Sequence, residues 1–310
     1  MHPRSACVRL APTWLARILV MATFVAPSAV TAVSAQATAP AVTVTDSTAQ
    51  RVALARPAHR IVALSPQLVE LAAAAGAGPA LVGTVRGADT PPFARSLPRV
   101  GDAFSIDLEA IARLHPDLVL AWRSGTPPRQ LAALRHLGIP VYWSETRRLR
   151  DIAATVRSIG VLAGTSAPAD RWADAYDARL HALRQRYADK PPVRVFVQFW
   201  AQPLMTAGGT QLISQAITVC GGINPFAALA VPVATVSREA VVAADQQLIV
   251  ADAANPSAFD AWRAFPSVAA VRHGQFFLLD PALLPRMGAR TLDGVQQLCA
   301  AMDRARPHTK

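Results

Sequence analysis

The feature that most restricts the fold of this chain is an alternation of short apolar runs with helical stretches, which occurs on both sides of one long helix. Continuous apolar runs of this length are typical of strands covered on both faces of a parallel sheet. The sequence predicts such strands at 60–64, 117–122 and 139–143, and again at 193–199, 248–250 and 276–279. Helices are predicted at 68–75 and 129–137, and each is followed by a glycine.

The long helical region covers residues 147–189 and is interrupted near 164–168. Its second part carries Trp172, Leu180 and Leu183 at helical spacing and has no internal glycine or proline. We therefore predict the α/β class, with two Rossmann-like α/β lobes joined by one long connecting helix. The predicted boundaries are an N-terminal hairpin at 36–58, an N-terminal lobe at 59–165, the connecting helix at 166–190 and a C-terminal lobe at 191–306.

The first 35 residues have the pattern of a cleaved export signal. Three arginines precede an apolar run at 18–26, and Val33-Ser34-Ala35 is an A-x-A-like cleavage site. The apolar run is short and Pro27 interrupts it, which disfavours a membrane anchor. Cys7 lies upstream of the run, so lipid attachment at the cleavage point is not indicated. We expect an exported protein, located in the periplasm, whose mature chain begins just after Ala35.

The charge of the chain does not indicate a nucleic-acid partner. Without residues 1–35 the chain has 28 basic and 20 acidic residues, a balance of +8. The arginines are spread along the sequence, and no module of interleaved basic and aromatic residues stands out. Hydrophobic residues make up 52% of the whole chain, so general disorder is excluded.

Two cysteines, Cys220 and Cys299, remain after the expected cleavage. An even pair in an oxidising compartment favours a disulfide. Two thiols are too few for a zinc site of their own.

Catalytic and metal-binding motifs are missing from the sequence. Ser65 follows a predicted strand, but Leu64 and Pro66 flank it in place of a G-x-S-x-G motif. There is no G-x-G-x-x-G, phosphate loop or H-E-x-x-H, and the predicted strand ends carry Ser65, Trp122 and Trp143 rather than clustered metal ligands. An enzyme is not expected. An exported hydrolase stays a remote alternative, and a permanently assembled structural or sensor subunit is a further one.

Several stretches, in order along the chain, resemble one family. Arg60-Ile61-Val62-Ala63-Leu64-Ser65-Pro66, followed by Glu70, is similar to the opening strand of cobalamin- and siderophore-binding proteins. Pro116-Asp117-Leu118-Val119-Leu120-Ala121-Trp122-Arg123 is similar to the second strand of the same proteins. Further matches are Val219-Cys220-Gly221-Gly222, Val236-Ser237-Arg238-Glu239 and Gln296-Gln297-Leu298-Cys299. The resemblance covers about 59–302, and it is to the class III periplasmic substrate-binding proteins of ABC importers, most of all those for cobalamin.

This resemblance implies partners and a mechanism. Cys220 and Cys299 match the disulfide of the family. Glu109 and Glu239, one in each lobe, match the acids that dock onto arginines of the membrane permease, through which the ATPase acts. The connecting helix implies limited closure of a monomeric protein. No cofactor is used chemically, because cobalamin is the transported ligand.

The resemblance also suggests which residues bind the ligand. Trp122 and Arg123 match the pocket tryptophan segment, and Gln67 and Leu68 are expected at the floor. Elsewhere the sequence departs from the cobalamin pattern, since Gly87, Ala103, Met205 and Val233 replace aromatic residues. The full set of expected contacts is Gln67, Leu68, Phe104, Trp122, Arg123, Phe199, Trp200, Met205, Val233 and Asp280. The departures leave three alternative ligands: another corrinoid, haem with Tyr142 or a histidine on the iron, or a ferric siderophore.

Overall fold

The computed structural model describes residues 42–306, except 103, 104 and 137. These residues form a two-stranded hairpin, a four-stranded sheet and a six-stranded sheet, with helices around the two larger sheets. The predicted export signal and its cleavage site lie outside the described residues. No helix within the described ranges is long and apolar enough to cross a membrane.

The N-terminal half contains the hairpin and the four-stranded sheet. Its strands are β1 (Val42–Thr45), β2 (Arg51–Leu54), β3 (Ile61–Ala63), β4 (Leu81–Thr84), β5 (Leu118–Trp122) and β6 (Val141–Ser144). Strands β1 and β2 pair as the predicted antiparallel hairpin. The four-stranded sheet is parallel, in the order β4-β3-β5-β6. Strand β4 was not predicted, because it is short and Gly83 interrupts its apolar pattern.

Side chains of this sheet are buried on both faces, as the continuous apolar runs predict. Leu118 and Leu120 belong to one core cluster, whereas Val119 and Ala121 belong to another. Successive residues of a strand point to opposite faces, so each cluster covers one face of the sheet. The covering helices are α1 (Pro66–Ala74), α2 (Leu108–Arg113), α3 (Pro128–His136) and α4 (Leu149–Ala163).

The long connecting helix, α5 (Ser166–Tyr187), has 22 residues. It follows α4 after Gly164, whose φ of +70° is a left-handed conformation that glycine adopts without strain. Arg157 of α4 donates to Asp174 and Asp177 of α5, at 2.6 and 3.0 Å. The predicted interruption of the helical region is therefore confirmed.

The C-terminal half is built on the six-stranded sheet. Its strands are β7 (Val193–Ala201), β8 (Leu204–Ala207), β9 (Gly222–Ile223), β10 (Val233–Thr235), β11 (Leu248–Asp252) and β12 (Phe276–Leu279). The order is β10-β8-β7-β11-β12, and β9 pairs with β7. The predicted strands β7, β11 and β12 pair in parallel, whereas β8 and β10 add an antiparallel edge that was not predicted.

The helices of this half are α6 (Leu212–Val219), α7 (Arg238–Ala243), α8 (Ala269–Arg272) and α9 (Thr291–Ala305). The expected disulfide joins Cys220, just after α6, to Cys299 of α9, with an S–S distance of 2.00 Å. Both cysteines are fully buried. Arg179 of α5 also donates to Asp293 of α9 at 2.6 Å. One apolar cluster contains Ile61 and Val193, so the core is continuous between the two halves.

Candidate functional site

A cleft of about 830 Å³ lies between the two halves, beyond the carboxyl ends of the strands β5 and β6. This is the edge of a parallel sheet at which α/β proteins place their ligands. The N-terminal half contributes Trp122, Ser124, Glu145, Thr146, Arg147 and Arg148 to its lining. The C-terminal half contributes Thr210, Gln211, Leu212, Gln215, Ala230, Pro232 and Met287.

Trp122 is the large apolar side chain of the N-terminal wall. Its indole is half-buried and packs directly against Gly125, where an added Cβ would lie 1.9 Å from the ring carbon Cε3. The Thr126 hydroxyl donates to the Trp122 carbonyl at 2.7 Å and holds the turn below the ring. The absence of a side chain at Gly125 therefore lets the Trp122 ring approach the backbone closely at the cleft wall.

A recess of about 100 Å³ continues from the cleft toward the ends of β3 and β4. Trp122 lines both spaces, and Gln67 lines the recess together with Ser65 and Thr126. Leu68 is fully buried in the core, so its side chain offers the ligand no surface. Of the two residues expected at the floor, only Gln67 borders the open space.

The C-terminal wall contains Phe199, which is half-buried and lines a further recess with Leu212 and Met287. Leu212 and Met287 also line the cleft, so the two spaces adjoin. Trp122, Phe199 and Met287 all pack against the same core cluster. The structure thus brings the predicted residues Gln67, Trp122 and Phe199 to one connected set of cavities.

The other expected contacts that the structure describes are not among the residues lining these cavities. Trp200 is 64% exposed beyond an irregularity in β7, and it pairs with Met205 in the β7–β8 ladder. Val233 lies on β10, and Arg123 is exposed. The Asp280 carboxylate accepts the Ala282 N–H at 2.8 Å and so stabilises its own turn. Phe104 lies outside the described residues.

Tyr142, the tyrosine considered for haem iron, does not line the cleft. It is buried and borders a neighbouring pocket with Asp46 and Thr155, which shares Glu145, Arg147 and Arg148 with the lining of the cleft. Burial raises the pKa of its phenol, which disfavours the phenolate that would bind iron. Trp143, expected at a strand end, is also buried, and its carbonyl accepts the Ser47 N–H at 3.0 Å.

The segment 145–148 was missed because the strand was expected to end at Trp143. Strand β6 ends instead at Ser144, and the next four residues all line the cleft. The Arg147 carbonyl accepts Nε2 of Gln215 at 2.6 Å, and the Leu149 N–H donates to Oε1 of Gln215 at 3.3 Å. Gln215 lies on α6, so one amide side chain joins the two halves beside the cleft.

A buried carboxylate, Glu70 of α1, also lies where the two halves meet. It is 3% exposed, and its Oε1 atom lies 3.8 Å from the Arg286 guanidinium and 3.6 Å from that of Arg290. Neither oxygen has a hydrogen-bond partner among the described residues. Gly288 packs against the carboxylate, where an added Cβ would lie 2.7 Å from Oε2. Burial raises the pKa of Glu70, although the two arginines oppose the effect.

Glu109 and Glu239 occupy corresponding positions in the two halves. Each is an exposed residue in the first turn of a six-residue helix, α2 for Glu109 and α7 for Glu239. The side chain before each helix, Asp107 or Ser237, accepts a backbone N–H of the first turn. The backbone N–H of Glu239 and the Ser237 hydroxyl lower the pKa of Glu239, so it is ionised at neutral pH.

Comparisons with known proteins are consistent with this architecture. A family model described as periplasmic binding protein matches residues 61–283. The chain is 37% identical to the vitamin B12-binding protein of Vibrio cholerae serotype O1 over 246 residues, which cover 78% of this chain and 88% of that protein. It is also 37% identical to the vitamin B12-binding protein of Yersinia pestis over 253 residues, or 80% of this chain and 88% of the relative.

Solved structures of periplasmic binding proteins also superpose on this chain. The periplasmic vitamin B12-binding protein BtuF of Vibrio cholerae superposes with a TM-score of 0.74 at 36% identity, covering 81% of this chain and 99% of that chain. The periplasmic heme-binding protein RhuT from Roseiflexus sp. RS-1, in apo form, superposes with a TM-score of 0.69 at 26% identity. That match covers 80% of this chain and 98% of RhuT.

Proposed function

Because the chain belongs to the periplasmic binding protein family, we propose that it captures vitamin B12 (cobalamin) in the periplasm and delivers it to an ABC importer. The observation that carries the proposal is the cleft between the two halves, with Trp122 seated on Gly125 at its wall. The volume of about 830 Å³ is within the range of small-molecule sites, which are preferentially located between domains.

The lining suits a corrin chemically. Corrin is a large, mostly apolar ring, and Trp122, Phe199, Leu212 and Met287 supply apolar walls in the cleft and its recess. The ring carries neutral amide side chains at its periphery. The Gln67 amide and Nε2 of Gln211 are the matching polar groups at the cleft and its recess, whereas Oε1 of Gln211 accepts the Ile213 N–H and the Gln215 amide is bonded to Arg147 and Leu149.

Haem is the second candidate, because a heme-binding protein is among the structural relatives. Haem bound in such a site usually takes an axial protein ligand such as histidine or tyrosine. The described lining of the cleft and its two recesses contains neither residue. Cobalamin needs no such ligand, since its corrin and nucleotide base already hold the cobalt. Cobalamin is therefore the better supported cargo.

Delivery is proposed to use the two equivalent helices α2 and α7. Glu109 and Glu239 are exposed carboxylates, one in each half, and an arginine-bearing permease would pair with both at once. The ATPase acts through the permease, and residues 1–35 direct export. The proposed role is capture and delivery by a monomer, with no catalytic step in the protein itself.

Calorimetric titration of the oxidised protein tests the proposal, with cyanocobalamin, haem and a ferric siderophore as separate ligands. We expect tight one-to-one binding of cyanocobalamin, weakened roughly 30-fold or more in Trp122→Ala, since a buried aromatic contact is typically worth 2 kcal/mol or more. Trp172→Ala, which removes a half-buried indole of α5 outside the cleft lining, is the matched control. Binding of haem or siderophore in place of cobalamin would overturn the choice of cargo.

A further inference from the structure

Among the described residues that line the cleft, the Arg147 guanidinium is the cation without a partner, and we propose that it binds the anionic oxygens of the cargo. In cobalamin these are the phosphodiester oxygens of the nucleotide loop. The inference rests on the proposed function and adds to it one charged contact that selects cobalamin with an intact nucleotide loop.

Arg147 differs from the other charged residues of the cleft lining because its side chain has no partner. The Glu145 carboxylate accepts both the N–H and the hydroxyl of Ser124, each at 3.0 Å. The Arg148 guanidinium pairs with Asp151, with Nε 3.1 Å from Oδ1. The Arg147 guanidinium has no hydrogen bond or ion pair with any residue in the described part of the chain. Its charge is therefore available to a ligand.

The backbone of Arg147 is fixed on both sides even though its side chain is free. Its N–H donates to Oδ2 of Asp151 at 3.1 Å, and its carbonyl accepts Nε2 of Gln215 at 2.6 Å. Asp151 belongs to the N-terminal half and Gln215 to the C-terminal half, so the backbone of Arg147 is anchored where the two meet. Because the backbone is already fixed, only the side chain loses freedom when the ligand binds, which favours affinity.

The chemistry of guanidinium matches a phosphodiester. Its planar set of donors bonds two phosphate oxygens at once, and charge-assisted bonds of this kind are stronger than neutral ones. The other polar substituents of cobalamin are neutral amides and hydroxyls, which uncharged side chains of the lining such as Gln211 can bond. Arg147 is thus matched to the one substituent that is negatively charged.

The test compares cyanocobalamin with dicyanocobinamide, which retains the corrin but lacks the nucleotide loop and its phosphate. Both ligands are titrated calorimetrically into the wild-type protein, Arg147→Gln and Arg147→Lys. We expect Arg147→Gln to weaken cyanocobalamin binding roughly 10- to 100-fold, the value of a charge-assisted hydrogen bond, and to leave cobinamide within twofold of wild type. Arg147→Lys keeps the charge and should recover part of the loss.

The matched control is Arg171→Gln, which removes an exposed arginine from α5 outside the cleft lining and should change neither affinity. Equal losses for both ligands in Arg147→Gln would mean that the residue acts on the corrin or on the shape of the cleft, and would overturn the inference. Unchanged affinity for both ligands would overturn it as well. If wild-type protein binds no cobalamin, the proposed function fails and this contact fails with it.

Discussion

Replacing both Cys220 and Cys299 with alanine should remove a large part of the stability of this protein. The bridge joins residues 79 positions apart, and both sulfurs are fully buried. In the chain-entropy model, the loss of a cross-link that closes a loop of 79 residues lowers the free energy of unfolding by about 4.5 kcal/mol at 25 °C. At roughly 2 °C per kcal/mol for a chain of this size, the melting temperature should fall by about 9 °C.

Urea unfolding followed by far-UV circular dichroism measures this loss. Three samples are compared: oxidised wild type, wild type with its bridge reduced, and the double alanine variant. If restriction of the unfolded chain is the cause, the last two should agree, because both lack the same cross-link. A loss below about 1 kcal/mol in both would refute the chain-entropy reasoning. A larger loss in the alanine variant than in reduced wild type would measure the packing of the buried sulfur atoms.

Two further predictions concern carboxylates. Burial raises the pKa of Glu70 above its ordinary 4.5, so the stability that its protonated form provides is complete below pH 4.5 and is lost as pH rises through the raised pKa. The melting temperature of Glu70→Gln, measured by scanning calorimetry, should therefore be higher than that of wild type at pH 7.5 and equal to it at pH 4. A lower melting temperature at pH 7.5 would mean that attraction to Arg286 and Arg290 outweighs burial. Reversing both docking charges, in Glu109→Lys with Glu239→Lys, should abolish cobalamin-stimulated ATP hydrolysis by the reconstituted importer and leave cobalamin affinity unchanged. Reversal of two other exposed acids, in Asp189→Lys with Asp260→Lys, is the control, and full stimulation in the Glu109 and Glu239 variant would refute the docking role.

The sequence predicts those parts of the fold that have a strong local pattern. Strands β5, β7 and β11 are continuous apolar runs, and α5 has a long uninterrupted helical period, so each was found close to its true bounds. Strands β4, β8 and β10 have three or four residues, and β8 follows directly after Gln202-Pro203. Such short strands form because a neighbouring strand supplies hydrogen bonds. The local sequence does not indicate which strand that neighbour is, so the short strands cannot be predicted from it.

The site was predicted less well than the fold, because side-chain direction depends on packing. Gln67 and Leu68 are adjacent on α1, yet successive helical residues point about 100° apart, so one borders the recess and the other is in the core. The irregularity in β7 between Gln198 and Trp200 leaves Phe199 against the core and Trp200 in solvent. Ligands of α/β proteins bind beyond the carboxyl ends of parallel strands, so the position of Arg147 at the cleft can be predicted once β6 is known to end at Ser144.

The link that Gln215 makes between the two halves has a consequence for dynamics. The Leu149 N–H is at the start of α4, where no helical carbonyl is available to it, and its partner is the Gln215 side chain of the opposite half. Parting of the halves would break this bond and let water reach an amide that is otherwise buried with Leu149. The exchange of this hydrogen for solvent deuterium would therefore record how often the two halves separate, with no label added to the protein.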